Sequence, residues 1–140
     1  MAGCHVEVKQ SCIPNAGNGL FAKRSFHEGE LVCEYTGKVK SLMEAMRTKD
    51  KSYMIGGFGL NVHLDAADCP DSMGRYINDP RNEAFLNVRF VKLKSEQKAL
   101  IIALRDIQVC KAKSKSQSSI GWRGALCLIW RSVLENTCRQ

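Results

Sequence analysis

The sequence lacks the features of membrane-spanning and secreted, disulfide-bonded proteins. No apolar run among its 140 residues approaches the roughly 18 residues that a membrane-spanning helix needs. The N-terminal segment MAGCHVEVKQ has no apolar stretch of the kind found in a secretory signal. The seven cysteines are odd in number and include no C-x-x-C pair, and the spacing of Cys4, His5 and Cys12 fits no standard zinc site. We therefore expect an intracellular protein with free thiols, no metal and no membrane partner.

Basic and acidic residues are unevenly distributed along the chain. Residues 1–110 contain 15 Lys and Arg against 13 Asp and Glu, whereas residues 111–140 contain six basic residues and one acidic residue. A basic tail is often a solvated extension, but it can also attract nucleic acid or an acidic chromatin surface. This tail lacks the interleaved aromatic residues of a single-strand-binding platform. Nucleic-acid binding through the tail thus rests on charge alone.

Short extended segments separated by turn residues dominate residues 5–107. Strands are predicted at His5–Ser11, in LFAKRSF, in LVCEYTGKV, on both sides of the glycine-rich bend in SYMIGGFGLNVHLDA, in AFLNVRFVKL and in KALIIALRDI. The alternation in AFLNVRFVKL contains a slip that indicates a bulge, and KALIIALRDI is typical of a buried strand. The pattern predicts a mainly β, α+β domain with small sheets.

One short helix interrupts the strands. SLMEAMRTKD begins with Ser41, a preferred N-cap residue, and Glu44 follows three residues later, as in a capping box. Leu42, Ala45 and Met46 are predicted to form its apolar side.

The composition changes after Ile107, which divides the chain into a domain at residues 1–107 and a divergent basic tail at residues 108–140. KAKSKSQSS has the Lys/Ser bias of a flexible linker. The following segment, GALCLIWRSVLENTCRQ, has apolar residues at helical spacing: Leu126, Ile129, Trp130, Val133 and Leu134. It is either an amphipathic helix that docks on the domain or on a partner, or apolar sequence with no fold of its own.

Two polar motifs are candidates for ligand binding. In NAGNGLFA, Gly17 and Gly19 flank Asn18, and glycines allow a backbone to approach a ligand closely. Taken alone, that motif is weak evidence for a ligand, because a hairpin turn is its more common explanation. The second motif, GRYINDPRN at residues 74–82, is too polar for a core strand, and its Asp-Pro step ends any helix. It is either a solvated turn or the polar floor of a ligand site.

The order in which the motifs follow one another is more specific than any single motif. GNGLFAKRSFHEGELVCEYTG precedes a tyrosine, then LDA, GRYIN, an alternating strand and ALRDI. This series resembles the SET-domain protein-lysine methyltransferases over residues 6–107. The resemblance implies a fold of small curled sheets with a knot-like C-terminal crossing. It also implies S-adenosylmethionine as cofactor, a protein substrate with a target lysine, such as a histone tail, and a nuclear or nucleocytoplasmic location.

Site residues follow from the resemblance by their position in its motifs. Gly17, Asn18 and Gly19 match the first cofactor-binding loop. The segment from Arg75 to Asp79 matches the R-x-x-N-H segment, in which Asn78 would hydrogen-bond the cofactor. Tyr53 matches an aromatic position beside the reacting groups and is the candidate catalytic residue, although a core aromatic is the alternative. The E-Y-x-G segment beside the substrate groove is matched by Glu34 and Tyr35.

The sequence departs from the family pattern at two places. Asp79 stands where the family usually has histidine. After ALRDI the family continues with G-E-E-L-x-x-D-Y-G, whereas this chain reads QVCKAKSKSQSSIGWRG and has no tyrosine beyond Tyr76. The crossing is therefore expected to be incomplete. The function predicted is S-adenosylmethionine-dependent protein-lysine methylation of a histone or another basic protein. The alternative is a catalytically impaired SET-like binding module.

Overall fold

The computed structural model describes residues 5–11, 15, 17–78 and 83–109 of the chain. They form eight strands, one α-helix and two short 3₁₀ helices. The strands are β1 (Val6–Gln10), β2 (Asn18–Ala22), β3 (Leu31–Tyr35), β4 (Lys38–Lys40), β5 (Met54–Ile55), β6 (His63–Asp65), β7 (Val88–Leu93) and β8 (Lys98–Ala103). The helices are α1 (Leu42–Arg47) and the 3₁₀ helices Met73–Tyr76 and Glu83–Phe85. Within the described residues no helix is long and apolar enough to cross a membrane.

Three small antiparallel sheets make up the domain. β1 and β2 form a hairpin, in which Gln10 pairs with Asn18 and Val6 with Ala22. The second sheet has the order β3-β8-β7, so that the strand nearest the end of the described chain lies at its centre. The third sheet has the order β4-β6-β5. The predicted mainly β, α+β class with small sheets is confirmed.

The core lies where the three sheets meet. Its fully buried members come from every sheet and include Leu20, Phe26, Leu64, Val88 and Ile101. Phe26 and Ile107 exchange two backbone hydrogen bonds of 2.8 Å, which join the segment after β2 to the segment after β8. This long-range pairing holds the last described segment of the chain against the segment that follows the β1–β2 hairpin.

Helix α1 has the predicted N-terminal cap but not the predicted buried side. The Ser41 hydroxyl accepts a hydrogen bond from the backbone N–H of Glu44, and the Glu44 carboxylate accepts one from the backbone N–H of Ser41. Ala45 is buried, whereas Leu42 and Met46 are 42% and 68% exposed. The helix spans only six residues. It therefore buries a single residue against the third sheet rather than a full apolar stripe.

Two further strand predictions need correction. AFLNVRFVKL begins inside the 3₁₀ helix Glu83–Phe85, and its strand portion, β7, pairs with β8 without a slip. The register irregularity lies instead in β3, between Leu31 and Cys33. β8 alternates between buried and half-buried residues, so only one of its faces belongs to the core. The predicted crossing and the predicted tail fall largely on residues 110–140, outside the described residues.

Candidate functional site

Ser11 connects the two polar motifs that lie far apart in the sequence. Its backbone N–H donates to the carbonyl oxygen of Gly17 at 2.8 Å. Its hydroxyl accepts a hydrogen bond of 2.7 Å from Nδ2 of Asn78. The glycine loop and Asn78 are thus brought together at the end of the β1–β2 hairpin. Ser11 was not among the predicted site residues, because its role depends on a contact with a residue 67 positions away.

The glycine loop keeps an open backbone surface at this end of the hairpin. Gly17 has φ of +67°, a conformation that side-chain-bearing residues rarely adopt, and a Cβ placed there would meet nothing within 4 Å. Gly17 and Asn18 are exposed, whereas Gly19 is buried opposite Lys9 in the hairpin. Gly17 thus directly precedes β2, and Asn18 and Gly19 are the first residues of that strand in the β1–β2 hairpin.

Arg75 lies in the 3₁₀ helix Met73–Tyr76 and anchors it to the end of β6. One guanidinium nitrogen donates to the carbonyl oxygens of Ala66 and Ala67, both at 2.9 Å. The guanidinium carbon lies 4.3 Å from the ring centroid of Tyr53 and 5.1 Å from that of Tyr76. Its Nε is buried and has no hydrogen-bond partner among the described residues. Arg75 therefore contacts both aromatic rings while its hydrogen bonds hold it to the backbone after β6.

Tyr35 and Tyr53 are held together by one hydrogen bond. The Tyr35 hydroxyl donates to the backbone carbonyl oxygen of Tyr53. Tyr35 is buried and meets Phe90 edge to face, with ring centroids 5.8 Å apart. Tyr53 is half-buried, and its hydroxyl bonds to no described residue. Of the two rings, Tyr53 is thus the one that can reach a bound molecule, while Tyr35 supports it from the core.

Glu34 points away from this cluster. It is exposed, as expected for the neighbour of buried Tyr35 on a strand. Its carboxylate accepts a hydrogen bond of 3.0 Å from Lys98 Nζ. The predicted substrate-binding pair therefore lies on two faces of β3. Asp79, the remaining predicted cofactor residue, lies outside the described residues.

Several residues that shape the site were not predicted from the sequence. Gly74 packs so closely on the second sheet that a Cβ there would lie 2.6 Å from Cδ1 of Ile101 and 3.0 Å from Cβ of Tyr35. Buried Ser72 accepts a hydrogen bond of 3.1 Å from the backbone N–H of Thr36 through its hydroxyl. Gly74 is the first residue of the GRYIN motif, so the motif could have identified it. No pattern in the sequence indicated a structural role for Ser72.

Asp65 also contributes to the candidate site, through the contacts of its buried carboxylate. Its side chain is only 5% exposed, and its Oδ2 lies 2.5 Å from Lys40 Nζ, whose side chain is 20% exposed. Its Oδ1 accepts a hydrogen bond of 2.9 Å from the backbone N–H of Ala67, next to the two carbonyls that hold Arg75. Asp65 thus stabilises the turn to which Arg75 is anchored. Among the described residues there is no cluster of His, Cys, Asp and Glu that could hold a metal ion.

Because the Tyr35 hydroxyl is buried, we expect the folded domain to lose stability at alkaline pH. Burial, aided by the nearby Asp65 carboxylate, raises the pKa of Tyr35 well above its ordinary value of 10.0. Above pH 10.0 the Tyr35 phenol loses its proton in the unfolded chain but keeps it in the folded chain. The free energy of unfolding therefore falls as pH rises through this range. Urea unfolding at pH 7 to 11 measures this slope.

A Tyr35→Phe variant separates this residue from the other groups that titrate in the same range. We expect it to lower the free energy of unfolding by about 1 kcal/mol at pH 7, because the Tyr53 carbonyl loses its donor. We also expect its stability to fall less steeply than that of the parent above pH 10. Equal slopes for the two proteins would contradict the assignment of the alkaline loss to Tyr35.

Comparisons with known proteins identify the fold. The family model of the SET domain matches residues 17–110. A solved structure of a humanized mutant of the Chaetomium thermophilum Polycomb Repressive Complex 2, bound to the inhibitor GSK126, matches with a TM-score of 0.62 and 26% identity. A crystal structure of an active polycomb repressive complex 2 in the basal state matches with a TM-score of 0.60 and 28% identity. None of the curated protein sequences compared with this chain gives a significant match.

A third structural match bears on the cofactor of the neighbouring proteins. It is a structure of ctPRC2 in an autoinhibited conformation, bound to S-adenosylmethionine, with a TM-score of 0.59 and 24% identity. Each of the three matches covers 76% of this chain but only 14% of the other chain, so the likeness concerns one domain of much longer proteins. Because the family model covers well over half of the sequence, the chain belongs to the SET-domain family.

Proposed function

We propose that the chain is an S-adenosylmethionine-dependent protein-lysine methyltransferase whose substrate is a histone or another basic protein. The observation that carries the proposal is the junction at Ser11, which joins the glycine loop to Asn78. These are the two segments that the family resemblance assigns to the cofactor. A solvated turn in GRYIN would not need a hydrogen bond between side chains 67 residues apart.

The residues at this junction fit an S-adenosylmethionine molecule. The open, exposed backbone at Gly17 and Asn18 leaves room for a ligand to approach. Asn78 offers a carboxamide at the same place, oriented by Ser11. Asp79 follows it in the chain, and a carboxylate is electrostatically compatible with a cationic sulfonium. When bound, the cofactor supplies an electrophilic methyl group.

The aromatic cluster suits the second requirement of methyl transfer, which is to hold the substrate lysine as a neutral amine. A free lysine is protonated at neutral pH, and only its neutral amine can accept a methyl group. A narrow aromatic channel disfavours the ammonium form by removing water from it. Tyr53, held by Tyr35 and stacked on Arg75, is the side chain placed to form such a wall. Orienting the amine in line with the methyl group also accelerates the reaction, since positioning lowers the activation barrier of well-oriented reactions by roughly 7–11 kcal/mol.

A binding module without turnover is the second candidate. The observation that favours it is the absence of tyrosine after Tyr76 in the sequence, where the family resemblance places the D-Y-G segment. In that case the chain binds the cofactor or a peptide but transfers no methyl group.

Asn78→Ala tests cofactor binding without knowledge of the substrate. We expect titration calorimetry to show saturable binding of S-adenosylmethionine to the parent and roughly tenfold weaker binding to the variant, as for the loss of one hydrogen bond of about 1.4 kcal/mol. Asn61→Ala is the matched control, because Asn61 is exposed and its Oδ1 accepts from the N–H of Leu42 in α1. Absence of binding to the folded parent, or equal binding to the parent and to Asn78→Ala, would contradict the cofactor site.

Transfer of a labelled methyl group distinguishes the two candidates. The full chain is incubated with labelled S-adenosylmethionine and purified core histones, with Tyr53→Phe as the comparison. Label on histone lysines that falls in the variant supports the methyltransferase. Cofactor binding without transfer supports the binding module.

A further inference from the structure

Lys92 is a charged residue on the core-facing side of β7. Side chains alternate between the two faces of a strand, so Lys92 lies on the same face as Phe90, two residues before it. That face belongs to the core, because Phe90 meets buried Tyr35 edge to face and Lys92 stands opposite buried Ala99 in β8. The core-facing side of an antiparallel sheet normally carries apolar residues. A lysine at this position is therefore unusual for the sheet.

The Lys92 side chain lies over the glycine-rich segment that follows β5. A Cβ placed on Gly57 would collide with Nζ of Lys92 and lie 3.1 Å from its Cδ and 3.2 Å from its Cε. Gly57 also has φ of +90°, a conformation that favours glycine. Gly57 and Gly59 are exposed, and Lys92 is half-buried beside this segment. The glycine thus makes room for the ammonium group at the edge of the core.

No described residue supplies the Lys92 ammonium with a hydrogen-bond acceptor or a carboxylate. The ring centroid of Phe58 lies 5.9 Å from Nζ, near the outer limit for a cation–π contact. Glu34 and Glu96 both pair with Lys98, on the opposite face of the sheet. Partial burial lowers the pKa of Lys92 below its ordinary value of 10.5, as expected for a cation without a partner. Because a shielded charge is costly unless it is paired, this position favours a bound anion.

The ammonium lies close, along the chain, to the candidate catalytic ring. Tyr53 directly precedes β5, and Gly57 comes two residues after this strand. Four residues of chain span at most about 14 Å. An extended peptide whose lysine reaches Tyr53 can therefore bring a side chain within about four residues of that lysine to the ammonium of Lys92.

We infer that Lys92, lying over Gly57, binds an oxyanion of the protein substrate, either a carboxylate or a phosphate group, within about four residues of the target lysine. Charge complementarity selects this occupant, since an ammonium group has three donor hydrogens and accepts none. The identity of the ligand as a substrate rests on the proposed methyltransferase function, whereas the anion site itself does not. A basic protein with an acidic or phosphorylated residue near the lysine meets both requirements.

Binding at the ammonium can be measured without methyl transfer. The full chain is labelled with carbon-13 at the lysine ε-carbons, and the NMR signal of Lys92 is identified by its absence from Lys92→Met. Peptides with one lysine carry a glutamate, a phosphoserine or a glutamine two, three or four residues before or after it. We expect a saturable shift of the Lys92 signal with glutamate or phosphoserine peptides and none with glutamine peptides. The signal of Lys94, an exposed neighbour, should not move.

Methyl transfer to the same peptides tests the effect on specificity. We expect the parent to prefer the acidic peptide over its glutamine counterpart several-fold in kcat/KM, mainly through KM. Lys92→Met should abolish the preference, and Lys94→Met is the matched control that should keep it. Lys92→Glu should prefer a peptide with an extra lysine at the same place. A purely structural role of Lys92 would change the rates for both peptides alike, and a preference that persists in Lys92→Met would overturn the inference.

A pair of glycine substitutions locates the anion at the loop. Gly57→Ala should displace the ammonium and abolish the preference for acidic peptides. Gly59→Ala is the matched control, because Gly59 also has a positive φ, of +122°, but a Cβ there would meet nothing within 4 Å. Circular dichroism verifies that both variants are folded. Loss of the preference in both variants to the same extent would contradict a specific contact at Gly57.

Failure of this inference and failure of the proposed function give different results. A Lys92 signal that shifts with acidic peptides, without methyl transfer to any peptide, supports the anion site and contradicts the methyltransferase. Equal transfer to acidic and glutamine peptides, without a shift, supports the methyltransferase and overturns the inference. A shift with inorganic phosphate but with none of the peptides would overturn the assignment of the anion to a protein substrate.

Discussion

Gly37→Ala is expected to destabilise the domain by about 3 kcal/mol, near the upper end for overpacking a close contact. Gly37 links β3 to β4 and lies directly against the end of β6. A Cβ there would lie 2.8 Å from both the carbonyl carbon and the carbonyl oxygen of Asp65, and 3.1 Å from the nitrogen of Ala66. These are backbone atoms of the central strand of the third sheet and of the residue after it. They cannot move aside as the end of a side chain can.

Gly56→Ala is the matched control for this substitution. A Cβ at Gly56 would meet Cδ2 of His63 at 3.4 Å, an ordinary contact with a side chain. Its effect should lie within about 1 kcal/mol of zero, because alanine also restricts the unfolded chain. The measurement is urea unfolding followed by circular dichroism. Equal midpoints for the two variants would show that the backbone at β6 can yield and that the close contact is not a constraint.

Asp65→Asn is expected to lower the free energy of unfolding by about 3 kcal/mol, as for the breaking of other buried ion pairs. The substitution keeps the shape of the side chain and an oxygen for the N–H of Ala67, but it leaves the Lys40 ammonium without its carboxylate. Among the described residues, Lys40 then retains its hydrogen bond of 3.1 Å to the hydroxyl of Thr48. Because the pair is largely shielded from water, the unpaired charge is costly.

A double-mutant cycle with Lys40→Met isolates the pair. Each single variant strands one charge, whereas the double variant strands none, so its loss should be well below the sum of the two single losses. Glu7→Gln is the control, since the Glu7–Lys9 pair is about half exposed on both sides and should change the midpoint little. Additive losses in the Lys40 and Asp65 cycle would show that the two charges do not stabilise one another.

Asp65 also links stability to the proposed site. The Asp65→Asn variant should be assayed for S-adenosylmethionine binding under conditions in which it is fully folded. The carboxylate supports the turn whose carbonyls hold Arg75, and Arg75 in turn stacks on Tyr53. The contacts therefore run from a buried ion pair to the aromatic cluster, whereas the junction of Ser11 with Asn78 lies at the β1–β2 hairpin. We accordingly expect cofactor binding to be less sensitive to Asp65→Asn than to Asn78→Ala.

Local patterns were enough to predict most of the elements. Alternation predicted β1 and the strand portion of AFLNVRFVKL, and Ser41 with Glu44 predicted the start of α1, since caps and period-two patterns depend on residues a few positions apart. The order of several motifs led to the SET family, and the family match confirms it. The exposure of Leu42 and Met46 could not be predicted, because a six-residue helix has room against the third sheet for Ala45 alone.

The class of fold, the family and the short elements could be inferred from the sequence, because each depends on neighbouring residues or on motif order. The arrangement of the candidate site could not, since it depends on tertiary contacts. The tertiary structure placed Ser11 between Gly17 and Asn78, turned Tyr35 into the core and Glu34 to the surface, and paired Asp65 with Lys40. Those contacts join residues that are distant in the chain, and their geometry depends on how the three sheets pack.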